Sequence, residues 1–227
     1  LLSNNNGQNW TSSATAGGTP GAQNSAASAN IAPLILDVAQ SPQIPRSQDV
    51  VHITAKLRDE LGAGITAAVF YRDSTAVTPG AWAEVPMLDD GLHGDGEAGD
   101  GEFGATLPAH AGGTIIEYYV RASDSGSRIR TWPAATDAFE TQGANALYQV
   151  DDTVSLVDQQ YFRLIMTEAE RERFTNQSRQ SNAEANVSFV AAFGGEVDVR
   201  HSGGIRYRGA SSRTANPPTM RLNLTAD

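Results

Sequence analysis

Two stretches of the 227-residue sequence combine residue types that could do chemistry. We call the first one, DDGLHGDGEAGDGEFG at residues 89–104, the acidic loop. Its carboxylates offer the hard oxygen ligands that calcium prefers, and its glycines permit sharp reversals of the chain. The sequence therefore predicts a candidate calcium site. Its candidate ligands are Asp89, Asp90, Asp95, Glu97 and Asp100.

The acidic loop also has an interpretation that needs no ligand. Asp side chains accept hydrogen bonds from nearby backbone amides as Asx turns, and glycines occupy positive-φ positions between two strands. The loop departs from the EF-hand pattern, because Asp95 and Glu97 stand at its first and third positions but Gly99 stands at the fifth. His93 could ligate a transition metal, yet no second histidine lies close in sequence. We favour the turn over calcium, although both can hold together, and catalytic carboxylates come last.

The second stretch, GGIRYRGASSRTANPPTMRLNL at residues 203–224, carries arginines and serines that could contact phosphate. Guanidinium groups donate paired hydrogen bonds to phosphate oxygens, and serine hydroxyls add donors. Strand alternation would place Arg206 and Arg208 on one face, opposite Ile205 and Tyr207. The alternative is a solvated strand face, and the missing GK[ST] ending excludes a P-loop. The candidate phosphate contacts are Arg206, Arg208, Ser211, Ser212, Arg213 and Arg221.

The composition limits the classes of partner. The formal net charge is −10, and the excess negative charge lies in residues 1–150, which argues against nucleic-acid binding through phosphates by that part. Lys56 is the single lysine. There are no cysteines, so disulfide and thiolate chemistry are excluded. No stretch approaches the ~20 apolar residues of a membrane span, and the N-terminus lacks the pattern of a signal peptide. Because LNLTAD ends the chain directly after a predicted strand, we expect a piece of a longer protein.

Three segments of different pattern position these residues. Residues 1–30 are rich in Asn, Ser, Gly, Ala and Thr and predict a strand remnant followed by a linker. Residues 31–150 predict seven short strands without a helix, which indicates a β-sandwich. In DVVHITAKLRD, for example, apolar Val51, Ile53 and Leu57 alternate with polar residues.

Residues 151–227 predict the start of an α+β domain. YFRLIM predicts a strand, and Thr167 can cap the helix TEAERERF with Glu170 in the reciprocal capping-box position. NVSFVAAF, EVDVR, GIRYRGA and TMRLNLT predict further strands. The predicted fold class is therefore mainly β, with a β-sandwich followed by the start of an α+β domain.

Two resemblances concern the first two segments. GGTPGAQNS, residues 17–25, resembles the tail of lamin-tail domains, an immunoglobulin-like module of bacterial extracellular proteins. VPMLDDGLHGDGEAGDGEFGATLPAHAGGTIIEYYVRASD, followed by Trp132, Pro133 and Ala134, resembles a bacterial immunoglobulin or fibronectin type III-like module. The second resemblance implies a spacer or binding module that is not an enzyme. Trp10, Trp82 and Trp132 could anchor a glycan or protein partner, although tryptophans in small β modules usually fill cores or interface rims.

Residues 160–227 resemble the N-terminal part of the spore-coat protein H (CotH) kinase family, through YFRLIMTEAERERF, NVSFVAAF and GGIRYRGASSRTANPPTMRLNL. The resemblance implies a secreted or surface atypical kinase that uses ATP with Mg²⁺ or Mn²⁺. The metal-binding acids would lie beyond Asp227, so this chain is not a complete enzyme. One departure is the absence of lysine in NPPTMR, where Arg221 would have to replace it.

The combined prediction is an exported bacterial protein, extracellular or on the cell surface. A spacer or adhesion β-sandwich would be attached to an ATP-dependent CotH-like kinase domain. The alternative is a non-catalytic surface or matrix scaffold or binding protein, which calcium could stabilise. In both cases the predicted partners are proteins or cell-surface and matrix components, with no nucleic acid and no membrane span.

Overall fold

The computed structural model describes residues 12–62, 64–135, 142–154 and 160–224. The strand remnant and linker were predicted over residues 1–30, and of these residues 1–11 lie outside the described ranges. The strands are β1 Leu34–Ser41, β2 Val51–Arg58, β3 Thr66–Asp73, β4 Ala83–Met87, β5 Glu102–Leu107, β6 Ile115–Ser123, β7 Ile129–Trp132, β8 Ala146–Gln149, β9 Tyr161–Ile165, β10 Ala185–Phe193, β11 Glu196–Tyr207 and β12 Met220–Asn223. One helix, α1 Glu168–Asn176, and a short 3₁₀ turn, Ser211–Arg213, complete the described elements.

The first eight strands form the predicted immunoglobulin-like β-sandwich, and β7 is the strand that the sequence did not predict. One sheet has the order β1-β2-β5, and the other has the order β4-β3-β6-β7 with β8 also paired to β6. Every pairing is antiparallel. The alternation read from β2 is confirmed, because Val51, Ile53 and Leu57 are buried. Their side chains pack against those of β6, such as Ile116 and Val120, in one hydrophobic core.

The later strands form a separate antiparallel sheet, which we call the C-terminal sheet, in the order β12-β11-β10-β9. The Thr167 half of the predicted capping box of α1 is confirmed, because Thr167 Oγ1 accepts a hydrogen bond from the Glu170 amide at 3.1 Å. The reciprocal half is not formed, because the Glu170 carboxylate instead pairs with Arg173 and accepts a hydrogen bond from the Asn186 amide. On one face of the sheet, Phe174 of α1 stacks on Tyr207 with ring centroids 4.7 Å apart. On the other face, Val190 packs against Leu147 of the sandwich.

Candidate functional site

The acidic loop connects β4 to β5, and the buried carboxylate of Asp95 lies at its centre. Asp95 Oδ2 accepts hydrogen bonds from the amides of Asp90 (2.9 Å) and Gly91 (3.0 Å), and Oδ1 accepts one from His93 (2.8 Å). Burial by itself would raise the pKa of Asp95, but these backbone donors outweigh it and lower the pKa. Asp95 is therefore ionised, and its side chain fixes the backbone of the first half of the loop through these hydrogen bonds.

Two further carboxylates hold the second half of the loop in the same way. Asp89 accepts hydrogen bonds from the amides of Gly99 (2.7 Å) and Gly101 (3.0 Å). Asp100 accepts one from the amide of Glu102 at 2.8 Å. These contacts are the turn chemistry that Asp-Gly spacing favours.

Three potential metal ligands also lie close together in the acidic loop. Among the described residues, Asp90, His93 and Asp95 place one ligand atom each within 4.8 Å of one another. However, Asp90 Oδ1 lies 2.9 Å from His93 Nδ1, so an ion would compete with this contact and with the amides on Asp95. Glu97 is exposed. The geometry favours the turn, and calcium stays a prediction.

Close packing requires glycine at one position at the end of the acidic loop. A Cβ built on Gly104 would lie 2.7 Å from the carbonyl oxygen of His93, which is closer than real Cβ atoms approach. The Gly104 backbone also exchanges two hydrogen bonds with Leu88, both 2.8 Å long. The loop therefore folds down onto the start of β5, where only glycine leaves room.

Most of the predicted phosphate contacts follow β11 in a segment that we call the arginine loop, residues 208–214. Arg213 Nε donates to the Gly209 carbonyl at 2.6 Å, and Nη1 donates to the Gln180 carbonyl at 2.8 Å. Arg213 Nη2 donates to Asn182 Oδ1 at 2.7 Å. Arg213 thus joins the arginine loop to residues 179–182. Its donors are engaged inside the protein, and they are not presented to a ligand in this arrangement.

Ser212 also has an internal contact, because its Oγ donates to the Arg208 carbonyl at 3.3 Å. A Cβ on Gly209, which has a φ of +95°, would lie 1.9 Å from Ser212 Oγ. Glycine is required there for both reasons. The exposed side chains of Ser211 and Arg208 remain the members of the arginine loop to which the phosphate prediction still applies.

Two arginines lie side by side on the neighbouring strands. Arg206 of β11 and Arg221 of β12 are directly opposite in the antiparallel register. Arg206 Nε lies 3.4 Å from Glu184 Oε1. The predicted alternation in β11 is confirmed, because Ile205 and Tyr207 are buried on the face covered by α1. Arg206 therefore lies on the opposite face.

A junction between the sandwich and the C-terminal sheet, with Tyr118 and Ser188 buried and His201 half-buried, was not predicted. His201 Nε2 lies 3.3 Å from the Tyr118 hydroxyl, and Nδ1 lies 2.9 Å from Ser188 Oγ. The His201 ring meets the rings of Tyr118 and Trp132 edge-on, with centroids 5.8 Å apart in both pairs. Ser188 Oγ in turn accepts a hydrogen bond from the Leu147 amide at 3.0 Å. We call these five residues the junction.

The pairing of Ser188 with His201 is of the nucleophile–base type, but its setting is structural. Ser188 is completely buried, and its oxygen already accepts a backbone hydrogen bond. Burial also lowers the pKa of His201 to about 4, which keeps the ring neutral near neutral pH. A substrate therefore has no path to the serine in this arrangement.

A second polar network extends the contact between the two units. The buried carboxylate of Glu117 accepts hydrogen bonds from Arg72 Nε, Ser74 Oγ and Asn145 Nδ2, all at 2.7 Å. Asn186 Nδ2 of β10 donates to the Asn145 carbonyl at 2.9 Å. Such networks cannot be predicted from the sequence, because only the stacking of sheets brings their residues together.

The comparisons with known proteins concern the sandwich. The family model for the conditioned medium factor 2nd Ig-like domain matches residues 51–130. The matched range holds β2 to β6 and the acidic loop, and it supports the immunoglobulin-like fold. The search of curated proteins gave no match. Residues 1–50 and 131–227 lie outside the matched range, so the lamin-tail and CotH resemblances stay predictions. No helix in the described ranges is long and apolar enough to span a membrane.

Proposed function

We propose that this chain is a rigid, non-catalytic spacer and adhesion segment of an exported surface or matrix protein. The junction is the observation that carries the proposal. Connected domains normally move relative to each other unless their interface is large and apolar. Here buried Val190, Ile165 and Leu147 pack together beside the His201 hydrogen bonds. The sandwich and the C-terminal sheet would therefore keep one fixed orientation.

Adhesion would use an aromatic surface on the outer face of the sandwich. Phe70 and Tyr119 stack with centroids 5.0 Å apart, and Trp82 meets Tyr119 edge-on at 5.0 Å. The guanidinium carbon of Arg72 lies 4.3 Å from the centroid of the Trp82 ring. Half-buried aromatic residues with a polar neighbour are typical of protein and glycan contacts.

Thermal unfolding of the whole chain tests the rigid unit. We expect one cooperative transition, because the two units share buried contacts. Val190→Ser should separate it into two transitions or destabilise the chain by about 2–4 kcal/mol. The matched control is Ala191→Ser, which lies on the opposite face of the same strand and should change little. Two independent transitions in the unaltered chain would contradict the proposal.

A second candidate function is phosphoryl transfer from ATP, by a CotH-like kinase domain that this chain would begin. The directly opposed Arg206 and Arg221 favour it, because like charges in that position repel each other. Glu184 offsets one of the two charges, and a phosphate group would offset the other. Mg²⁺ or Mn²⁺ would accompany the nucleotide.

Calorimetric titration of this chain with ATP and Mg²⁺ or Mn²⁺, and with inorganic phosphate, tests the second candidate. If the arginine pair binds phosphate, Arg221→Gln should weaken binding at least tenfold. Arg121→Gln, at an exposed arginine of the sandwich, is the matched control and should bind like the unaltered chain. A folded chain that binds neither ATP nor phosphate would leave the spacer as the preferred function.

A further inference from the structure

The C-terminal sheet has one face that is only half covered. Directly opposite residues of antiparallel strands share a face, so Phe162 and Leu164 of β9 lie on the same face as Phe189 of β10. Helix α1 covers the other end of this face through Phe174. Phe162 remains 61% exposed, and Phe193, further along β10, remains 65% exposed. We call Phe162, Leu164, Phe189 and Phe193 the phenylalanine patch.

The patch adjoins a sheet edge that lacks the usual protection. Proteins block exposed edges with proline, bulges or outward charges. In the sandwich, edge strand β4 contains Pro86, and edge strand β1 has an irregular register around Asp37, which has a φ of +49°. Strand β9 has neither feature, and no strand among the described residues pairs with its outer side.

The one charged residue of β9 does not protect the edge either. Arg163 points to the opposite face of the sheet, where Nη1 donates to Gln149 Oε1 at 3.1 Å and Nη2 pairs with Asp151. On the exposed face, β9 therefore presents Phe162 and Leu164, one on each side of Arg163. This arrangement is symmetric about the centre of the strand.

We propose that a second copy of this chain occupies the edge, with two β9 strands paired antiparallel about a two-fold axis at Arg163. In this register Phe162 of each copy lies opposite Leu164 of the other, which satisfies the self-complementarity that a two-fold interface requires. The two Arg163 residues then lie opposite each other on the other face, where the Asp151 carboxylate of each copy offsets the charge of its own Arg163. Backbone hydrogen bonds of the two edges join the C-terminal sheets. The inference is independent of the proposed spacer function.

The area of the patch sets the expected affinity. The exposed parts of Phe162, Leu164 and Phe193 amount to roughly 300 Å² per copy, since a whole aromatic side chain offers about 200 Å². The total of about 600 Å² is smaller than the roughly 1,200 Å² of stable interfaces. An interface of this size belongs to the weak, transient class, so we expect the dimer to form only at micromolar or higher concentrations of the chain.

Sedimentation equilibrium of the full chain tests the association. The average mass should rise from monomer to dimer over roughly 1–500 µM, the range in which a micromolar dissociation constant is measurable. Phe162→Glu should raise the dissociation constant at least tenfold. Val77→Glu replaces another exposed apolar residue, 48% exposed on the sandwich, and should leave it unchanged. A monomer at every concentration would overturn the proposal and leave the patch to a different partner protein.

Disulfide trapping tests the register, because the native chain has no cysteine. Phe162→Cys mixed with Leu164→Cys should form covalent dimers several-fold faster than either variant alone, because the two positions face each other only across the proposed axis. Ser125→Cys, at an exposed position on the sandwich, serves as the control for random collision. Equal rates in the mixture and in the separate variants would overturn the proposed pairing.

Discussion

The side chains of the acidic loop form hydrogen bonds with backbone amides, whereas those of the arginine loop form them with backbone carbonyls. In the acidic loop, carboxylates such as Asp95 accept hydrogen bonds from amide groups. In the arginine loop, the guanidinium group of Arg213 donates to carbonyl groups and to Asn182. Carboxylates supply acceptors for backbone amides that have no partner within a strand or helix, and guanidinium groups supply donors for such carbonyls. Clusters of acids or arginines that suggest a ligand site can therefore be internal caps of irregular chain.

The two loops differ in how far these contacts reach. Asp95 binds amides two to five residues away, whereas Arg213 binds Gly209 nearby and also Gln180 and Asn182, which are more than thirty positions away in the sequence. Asp95 is also buried, and Arg213 is only half-buried. The loss of Asp95 should therefore cost more free energy, and the loss of Arg213 should loosen a tertiary contact.

Replacing Asp95 should have the largest effect on stability. Asp95→Ala leaves three amides without their acceptor in a buried site, so we expect the free energy of unfolding to fall by roughly 3–5 kcal/mol. Asp95→Asn should cost less, because one oxygen remains. Glu97→Gln, at an exposed acid of the same loop, should be nearly neutral. Urea unfolding measures all three, and equal losses for Asp95→Ala and Glu97→Gln would contradict the internal role.

Acid should weaken the junction before it weakens the acidic loop. The pKa of His201 is about 4 in the folded chain and 6.5 in an ordinary histidine, so between these values the unfolded chain binds the extra proton. The free energy of unfolding should then fall by roughly 3 kcal/mol as the pH drops from 6.5 to 4. The pKa of Asp95 is already below 3.8, so its contribution is lost only in stronger acid.

Urea unfolding at several pH values checks this order. His201→Gln does not titrate, so its stability should lose most of the pH dependence between 6.5 and 4. Asp95→Asn should keep that dependence and change the curve only below about pH 4. An unchanged slope in His201→Gln would show that another group causes the acid sensitivity.

Replacing Arg213 should have an intermediate effect. Arg213→Ala removes several hydrogen bonds of a half-buried group, and we expect a loss of about 1–2 kcal/mol. Arg213→Lys should restore little, because an ammonium group cannot reproduce the planar fork of donors. The exposed Arg208 is the control, and Arg208→Ala should be neutral in stability. Hydrogen exchange should locate the effect of Arg213→Ala at residues 179–182 and in the arginine loop.

Calcium should have the smallest effect if the acidic loop is held by its own amides. We expect the melting temperatures in millimolar calcium and in chelator to agree within about 1 °C, since a ligand stabilises only what it binds. A larger rise of the melting temperature in calcium, absent from the Asp90→Asn variant, would support the metal prediction instead. Ser125→Ala provides a control for nonspecific effects of the substitution.

The sequence by itself determined the features that depend on neighbours along the chain. Period-two alternation predicted the sandwich strands, and the Thr167 cap predicted the start of α1. The turn interpretation of the acidic loop also followed from local spacing, because an aspartate reaches amides only a few residues away. Asp95 makes all its hydrogen bonds within this reach.

Only the tertiary structure decided which polar residues become internal partners of distant elements. Tyr118 and His201 meet across 83 positions of sequence, and the register shift between β10 and β11, with Ser202 at a φ of +56°, lies beside His201. Arg213 could be assigned to residues 179–182 only once β11 and its following loop were placed. Strand alternation predicts on which face of a sheet a side chain lies, but the stacking of sheets determines which residues it contacts there.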